Sequence, residues 1–179
     1  MTASPRRDLL QIAAFALAVA VLAYTTRSGV VLNLTMMALY GCLMAQSWNM
    51  LGGFGGQFSF GHALFFGTGA YLQAIAQLQW GLNPWLALPL AIALAALVGL
   101  FFGALSFRYG LKGSYFALVT LAFAEVFRIV ALSVPFTGAG VGLMVPLREG
   151  AANMQFADRR GYVLLVLALV TLALLATSW

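Results

Sequence analysis

Charged residues are scarce in this sequence. Asp, Glu, Lys and Arg make up 7% of the 179 residues, whereas hydrophobic residues make up 63%. Soluble domains carry about 25% charged residues, so a soluble globular class is excluded. The mean hydropathy is +0.98, and several apolar runs reach the length of a membrane-spanning helix without the alternation of a barrel strand. The sequence therefore predicts an all-α integral membrane protein of about six transmembrane helices, in a single transmembrane domain over residues 1–179.

Residues that build metal and catalytic sites are also rare. The single cysteine, Cys42, excludes an intrachain disulfide and a Cys-pair metal site, and the single histidine, His62, argues against a His-built one. The four acidic residues form no plausible acid–base pair, so we expect no enzyme, no metal and no cofactor. The sequence has no G-x-x-x-x-G-K-[ST] motif, which excludes ATP binding by that route. The scattered basic residues behind the net charge of +5 predict weak attraction to anionic membrane lipid, not nucleic-acid binding.

Six apolar runs are separated by polar or charged segments. The pair Arg6 and Arg7 precedes the first run and, by the positive-inside rule, predicts a cytoplasmic N-terminus. A signal peptide is the alternative for this run, but the run is long for one and lacks a small-residue cleavage site. We expect a long external segment before the last span. The predicted spans are residues 9–26, 30–51, the glycine-rich run to about 79, 85–107, 114–134 and 162–178.

The run over residues 48–71 is unusual for a membrane segment because it holds seven glycines together with Gln57, Ser59 and His62. Each glycine costs roughly 1 kcal/mol relative to alanine in a helix interior. Two interpretations account for such a composition. The run is a broken helix that lines a wet cavity, as in transporters, or it is a surface of close helix packing. Its first part, residues 52–57, is predicted to be non-helical.

Two charged residues, Glu125 and Arg128, lie inside the fifth predicted span. Their i,i+3 spacing lets them pair, which lowers the cost of placing each ion in the membrane. A structural ion pair is the favoured interpretation, and a functional charge in a translocation path is the alternative. In the fourth span, Gly99 and Gly103 form a G-x-x-x-G pattern that predicts a helix packing face.

The second predicted span carries Gln46 and Asn49 on one helical face. Polar side chains in membranes form interhelical hydrogen bonds that average about 0.6 kcal/mol each. We therefore expect these two residues to bond to a neighbouring helix, in preference to a role in a solute path.

The letters GQFSFGHA at 56–63, FFG at 65–67 and GAY at 69–71 follow the pattern G-Q-x-S-x-G-x-A…F-x-G-x-G-A-Y. This pattern resembles the signature of the branched-chain amino-acid ABC transporter permeases, most closely of the LivM type. The run YFALVTLAFAEVFR at 115–128 is similar to a second family segment. The letters TGAGVGLMVP at 137–146 are similar to a third, T-G-G-x-x-G-L-x-G-I-P, but depart from it in two residues and in spacing.

The resemblance implies a transmembrane permease subunit of an ABC importer for branched-chain amino acids, in the bacterial inner membrane. It implies a sister permease, two cytoplasmic ATPase subunits and a periplasmic amino-acid-binding protein as partners. Within it, Gln57, Ser59, Gly61 and His62 are expected near the translocation path. The exact substrate stays open among leucine, isoleucine, valine, other amino acids, amides and urea.

The family's ATPase-docking segment would follow the sixth span and is missing from this sequence. We therefore expect a truncated chain, or one that another chain completes, and no ATP-driven uptake by this chain alone. Two other function classes stay open at this point. One is a passive channel or secondary carrier for a small neutral solute such as urea, and the other is a structural subunit or fragment that transports nothing.

Overall fold

The computed structural model describes residues 5–178, so residues 1–4 and Trp179 lie outside it. Within that range no named β-strand occurs, and one isolated bridge joins Gly150 and Gln155. The predicted all-α class is therefore confirmed. The helices are α1 (Pro5–Thr25), α2 (Gly29–Asn49), α3 (His62–Leu78), α4 (Pro84–Arg108), α5 (Gly113–Ser133) and α6 (Arg159–Thr177).

Five helices of the described range are long and apolar enough to span a membrane, namely all except α3. With 17 residues, α3 stands at the lower limit of about 17–25 residues for a spanning helix. It follows a segment without α-helix, as the glycine content of this run predicts. The multi-pass membrane class is confirmed by these five helices, and a membrane-spanning role for α3, the third predicted span, stays a prediction.

One compact unit contains the described residues up to Met50 and from Phe156 onward. Helix α6 packs against both α1 and α2, around a core of Ala23, Leu32, Leu39, Val163, Leu167 and Val170. Gln46 Nε2 on α2 donates a hydrogen bond of 2.5 Å to Thr177 Oγ1 on α6. The predicted interhelical hydrogen bond is thus confirmed for Gln46. Asn49 is exposed, and its expected partner stays a prediction.

The second compact unit is Leu51–Gln155. Here α3 packs against α4 and α5, and aromatic rings join α4 to α5. The ring centroids of Phe102 and Phe123 are 4.3 Å apart, and the stacked rings of Phe107 and Phe116 have centroids 5.7 Å apart. Because the later residue of α4 meets the earlier residue of α5, these two helices are antiparallel. The ends of α4 and α5 at residues 108–113 therefore lie on one side of the unit.

A long segment between α5 and α6 returns to the turn between α3 and α4, at the opposite side of this unit. Two side chains at the start of α4 hold it there. Asn83 Nδ2 donates to the carbonyl of Ala152 (3.0 Å), and Trp85 Nε1 donates to the carbonyl of Ala151 (2.8 Å). Asn83 also caps α4, because its Oδ1 accepts from the Trp85 N–H (2.9 Å). The segment is therefore long but fixed to the helices at this end.

Candidate functional site

The break between α2 and α3 begins with a π-helical turn at Met50–Phe54, directly after α2. The Gln57 N–H then donates to the carbonyl of Leu51 (3.2 Å), and Gly56 has a φ of 62°. A positive φ of this kind is readily adopted by glycine and is costly for residues with a Cβ. The prediction of a non-helical stretch over 52–57 is thus wrong for residues 52–54. The non-helical part, called the linker below, is residues 55–61.

The last residues of the linker lie directly on α5. The Phe60 N–H donates to Thr120 Oγ1 (3.3 Å), and this hydroxyl in turn donates to the carbonyl of Ala117 (2.8 Å). A Cβ added to Gly61 would overlap the backbone carbonyl of Thr120, with its carbon 2.7 Å away. Ser59 is 2% exposed, and its Oγ accepts from the Gly61 N–H (3.2 Å). Glycine at 61 is thus what lets the linker and α5 meet at backbone distance.

Gln57 reaches the other end of the same contact. Its Oε1 accepts a hydrogen bond of 3.3 Å from the N–H of Gly113, the first residue of α5. The N-cap residue of α5, Lys112, makes no side-chain cap hydrogen bond. The first N–H groups of a helix have no hydrogen-bond partner within it. Gln57, from the linker, therefore provides the acceptor that the cap residue does not provide. Gln57, Phe60 and Gly61 therefore attach the linker to α5, and Ser59 hydrogen-bonds to Gly61 within the linker.

His62 is the first residue of α3, and its ring lies perpendicular to that of Phe65 at 6.0 Å. Its Nδ1 is buried and has no hydrogen-bond partner among the described residues. Among those residues, no three His, Cys, Asp or Glu side chains are grouped so that they could hold a metal ion. His62 therefore contributes an aromatic contact at the helix start.

An open cleft of ≈ 520 Å³ runs between α3 and α5. It extends from Phe60, at the linker, to Thr137, just beyond the C-terminal end of α5, and its walls are predominantly aliphatic and aromatic. None of Gln57, Ser59, Gly61 and His62 lines it. The cleft is lined by Phe60, Ala63, Leu64, Gly67, Thr68, Tyr71, Leu72, Ile75, Leu121, Ala124, Glu125, Phe127, Arg128, Val130, Ala131, Leu132 and Thr137.

Glu125 and Arg128 are the two charged residues in the wall of this cleft. They form a bidentate ion pair, with Arg128 Nη2 2.6 Å from Glu125 Oε1 and Arg128 Nε 2.8 Å from Glu125 Oε2. Glu125 lies about 18 Å along α5 from its start, at 1.5 Å per residue. Their side chains remain 53% and 59% exposed. A charge near mid-membrane costs about 2.5–3.5 kcal/mol by insertion scales, and pairing lowers that cost for both residues.

The glycine pattern of α4 has one residue at a helix contact. Gly99 contacts the ring of Phe65 of α3, because a Cβ there would be 3.6 Å from Phe65 Cε1. The atom nearest to a Cβ at Gly103 belongs to Phe107, on the same helix. Gly99 therefore stands in the α3–α4 contact, and the packing role of Gly103 stays a prediction.

Sequence reasoning did not identify the α3 wall of the cleft. Its residues on α3 include Leu64, Gly67, Thr68, Tyr71 and Ile75, which recur at the three- and four-residue spacing of one helical face. This periodicity could have been read from the sequence. The family resemblance points instead to the residues just upstream, Gln57 to His62.

A second, more polar cleft of ≈ 440 Å³ lies between the α3–α4 turn and the long segment after α5. Amide side chains and one guanidinium contribute to its walls. The cleft is lined by Gln77, Leu78, Gly81, Leu82, Asn83, Pro84, Val145, Pro146, Arg148, Asn153 and Gln155.

Comparison with known proteins gives a consistent family. The family described as branched-chain amino acid transport system / permease component matches residues 30–179. The high-affinity branched-chain amino acid transport system permease protein LivM of Escherichia coli (strain K12) is 33% identical over 154 residues, which are 85% of this chain and 35% of that protein. The protein of the same name from Salmonella typhimurium (strain LT2) is 32% identical over 124 residues, 69% of this chain and 28% of that protein.

The chain thus spans about a third of the length of the curated relatives it matches. No solved structure matches it. The family match covers α2 to α6, and with them the linker, both clefts and the ion pair. This chain therefore belongs to the family of branched-chain amino acid transport system permease components.

Proposed function

We propose that this chain forms part of the transmembrane permease of an ABC importer for branched-chain amino acids, in the bacterial inner membrane with its N-terminus in the cytoplasm. In this proposal a sister permease completes the translocation path. Two cytoplasmic ATPase subunits drive transport, and a periplasmic binding protein delivers the amino acid.

The observation that carries the proposal is the cleft between α3 and α5. Its volume of ≈ 520 Å³ falls within the range of about 300–1,000 Å³ that is typical of small-molecule sites. Its lining is predominantly apolar, which suits an aliphatic side chain, and it follows α5 from Leu121 to Leu132. In a chain of this family, we expect such a cleft to form one side of the solute path.

In the same proposal, Gln57, Ser59 and Gly61 act on the path indirectly. Gln57 and Gly61 contact α5, Ser59 hydrogen-bonds to Gly61, and α3 begins directly after the linker. Their contacts therefore fix the separation of α3 and α5 at one end of the cleft. We group His62 with them because it is the first residue of α3.

The proposal is tested by uptake in the organism that carries this gene. Deletion of the coding sequence is expected to lower the uptake of radiolabelled leucine, isoleucine and valine, and a plasmid copy is expected to restore it. Uptake of proline serves as the control for general damage to the membrane. Unchanged uptake of all three branched-chain amino acids in the deletion strain would contradict the proposal.

The partners are tested separately. Affinity purification of the tagged chain from native membranes in mild detergent is expected to recover ATPase subunits and a second permease subunit. Recovery of the chain without them, together with solute flux that continues when ATP is depleted, would refute the ABC assignment.

A further inference from the structure

The Glu125–Arg128 pair does not behave as a connection between helices. Both of its hydrogen bonds join residues of α5, and they satisfy each charge with the other. Within the part of the chain that the structure describes, neither side chain is tied to α3, α4 or the long segment after α5. More than half of each side chain is exposed, on the wall of an apolar cleft. Ionisable residues inside membrane segments characteristically mark substrate paths.

The pair still has hydrogen-bonding capacity for a ligand. A guanidinium has five N–H donors and a carboxylate has about four acceptor positions, and the pair uses two of each. A ligand with an ammonium and a carboxylate could therefore bind to the remaining acceptors of Glu125 and the remaining donors of Arg128 without separating them. On the walls of the same cleft, Leu121, Phe127 and Val130 of α5 and Leu72 of α3 offer apolar surface.

We propose that Glu125 and Arg128 bind the charged head group of a neutral aliphatic amino acid in transit, while its side chain lies against the apolar wall of the cleft. This inference rests on the proposed function and deepens it. The α-ammonium faces Glu125 and the α-carboxylate faces Arg128, so two opposite charges on one helical face recognise a zwitterion. An aliphatic acid or an aliphatic amine satisfies only one of the two groups and is a poor ligand.

The assembled transporter, purified with its partners and reconstituted with ATP inside the vesicles, allows a direct test. Glu125→Gln and Arg128→Gln are each expected to lower leucine uptake by about tenfold or more, because each removes a charged hydrogen bond to the substrate. ATP hydrolysis without amino acid, and the yield of the complex, are expected to stay within twofold. The matched control is Glu149→Gln, which removes the same charge from an exposed position on the long segment after α5.

The charge swap Glu125→Arg with Arg128→Glu separates recognition from a structural role. The swapped pair keeps an ion pair at the same i,i+3 spacing, so a structural role would be restored. We expect the complex to assemble but leucine uptake to remain about tenfold low, because the head group would bind in the reverse orientation and direct the side chain away from the wall. Uptake close to that of the wild type would overturn the assignment.

Labelling in native membranes gives a readout that does not depend on uptake. A diazirine analogue of leucine is expected to label peptides within residues 60–75 or 121–132, and excess leucine should compete, whereas 4-methylpentanoate, which lacks the ammonium, should not. Absence of label there would show that lipid or another helix fills the cleft, and equal competition by both compounds would refute zwitterion recognition. If the wild-type transporter shows no leucine uptake but competitive labelling persists, the proposed import function is wrong and the proposed binding site is retained.

Discussion

Gly61→Ala is the substitution for which the structure makes the sharpest prediction. The added methyl group would overlap the carbonyl oxygen of Thr120 and lie 2.7 Å from its carbonyl carbon. Both atoms are backbone atoms in the interior of α5, so no side-chain rotation relieves the overlap. The backbone of Gly61 itself has a φ of −93°, which alanine also adopts. The penalty is therefore steric, and the linker must move away from α5.

The magnitude follows from two terms. Overpacking of a tight contact typically costs about 1–3 kcal/mol. Movement of the linker also breaks the hydrogen bond from the Phe60 N–H to Thr120 Oγ1, and such a bond is worth about 0.5–1.5 kcal/mol. We expect the free energy of unfolding to fall by about 1.5–4.5 kcal/mol.

Two control variants separate this effect from the general replacement of glycine. At Gly29 an added Cβ would meet Arg159 Nη1, the end of a flexible side chain, so Gly29→Ala should be inexpensive. At Gly41, within α2, nothing lies within 4 Å of the added atom. Gly41→Ala should therefore raise stability by up to about 1 kcal/mol through helix propensity.

The assay is reversible unfolding in mixed micelles of a mild detergent and dodecyl sulfate, followed by circular dichroism, for the wild type and the three variants. The reasoning predicts that Gly61→Ala alone is strongly destabilised. If its free energy of unfolding lies within 0.5 kcal/mol of that of Gly29→Ala, the backbone contact between linker and α5 does not exist as described.

Three further predictions concern hydrogen bonds that the sequence does not display. Gln57→Ala should lower the free energy of unfolding by about 0.5–1.5 kcal/mol, whereas Gln57→Glu keeps an acceptor for the Gly113 N–H and suits the positive end of α5. Equal denaturation midpoints for both variants would contradict this. A double-mutant cycle with Gln46→Leu and Thr177→Val should give a coupling energy of about 0.6 kcal/mol, and a value near zero would refute the interhelical bond. Asn83→Asp keeps the capping oxygen but loses the amide donor to the long segment after α5. Limited proteolysis should therefore cut that segment faster, while the helix content in circular dichroism stays unchanged. Cleavage at the wild-type rate would show that this hydrogen bond does not hold the segment in place.

Helix existence was predictable because span length and composition determine it. The fourth span was predicted at 85–107 and is found at Pro84–Arg108, and the fifth at 114–134 and is found at Gly113–Ser133. The interruption between α2 and α3 was predictable from glycine content. The exact start of the interruption was not predictable. The π-helical turn at Met50–Phe54 continues the helix through Gly52 and Gly53, where glycine propensity alone predicts that it ends.

The partners of the polar residues were not predictable in the same way. Gln46 bonds to a residue 131 positions away, and Gln57 to one 56 positions away. Such contacts depend on which helices are neighbours, which hydropathy does not encode. The charged pair at Glu125 was predictable from its i,i+3 spacing, because both residues lie on one helix. The location of the pair on the wall of a cleft could not be predicted from the sequence, because it depends on the position of α3.

The attachment of the linker to α5 changes what glycine richness means in this protein. An amide that is bonded to a side chain on a neighbouring helix exchanges its hydrogen slowly, even outside regular secondary structure. The Phe60 amide is such a group, because Thr120 accepts from it. Gly61 thus allows a close backbone contact and does not make the linker mobile. The hydrogen-exchange rate of the Phe60 amide then reports whether α3 and α5 are held together.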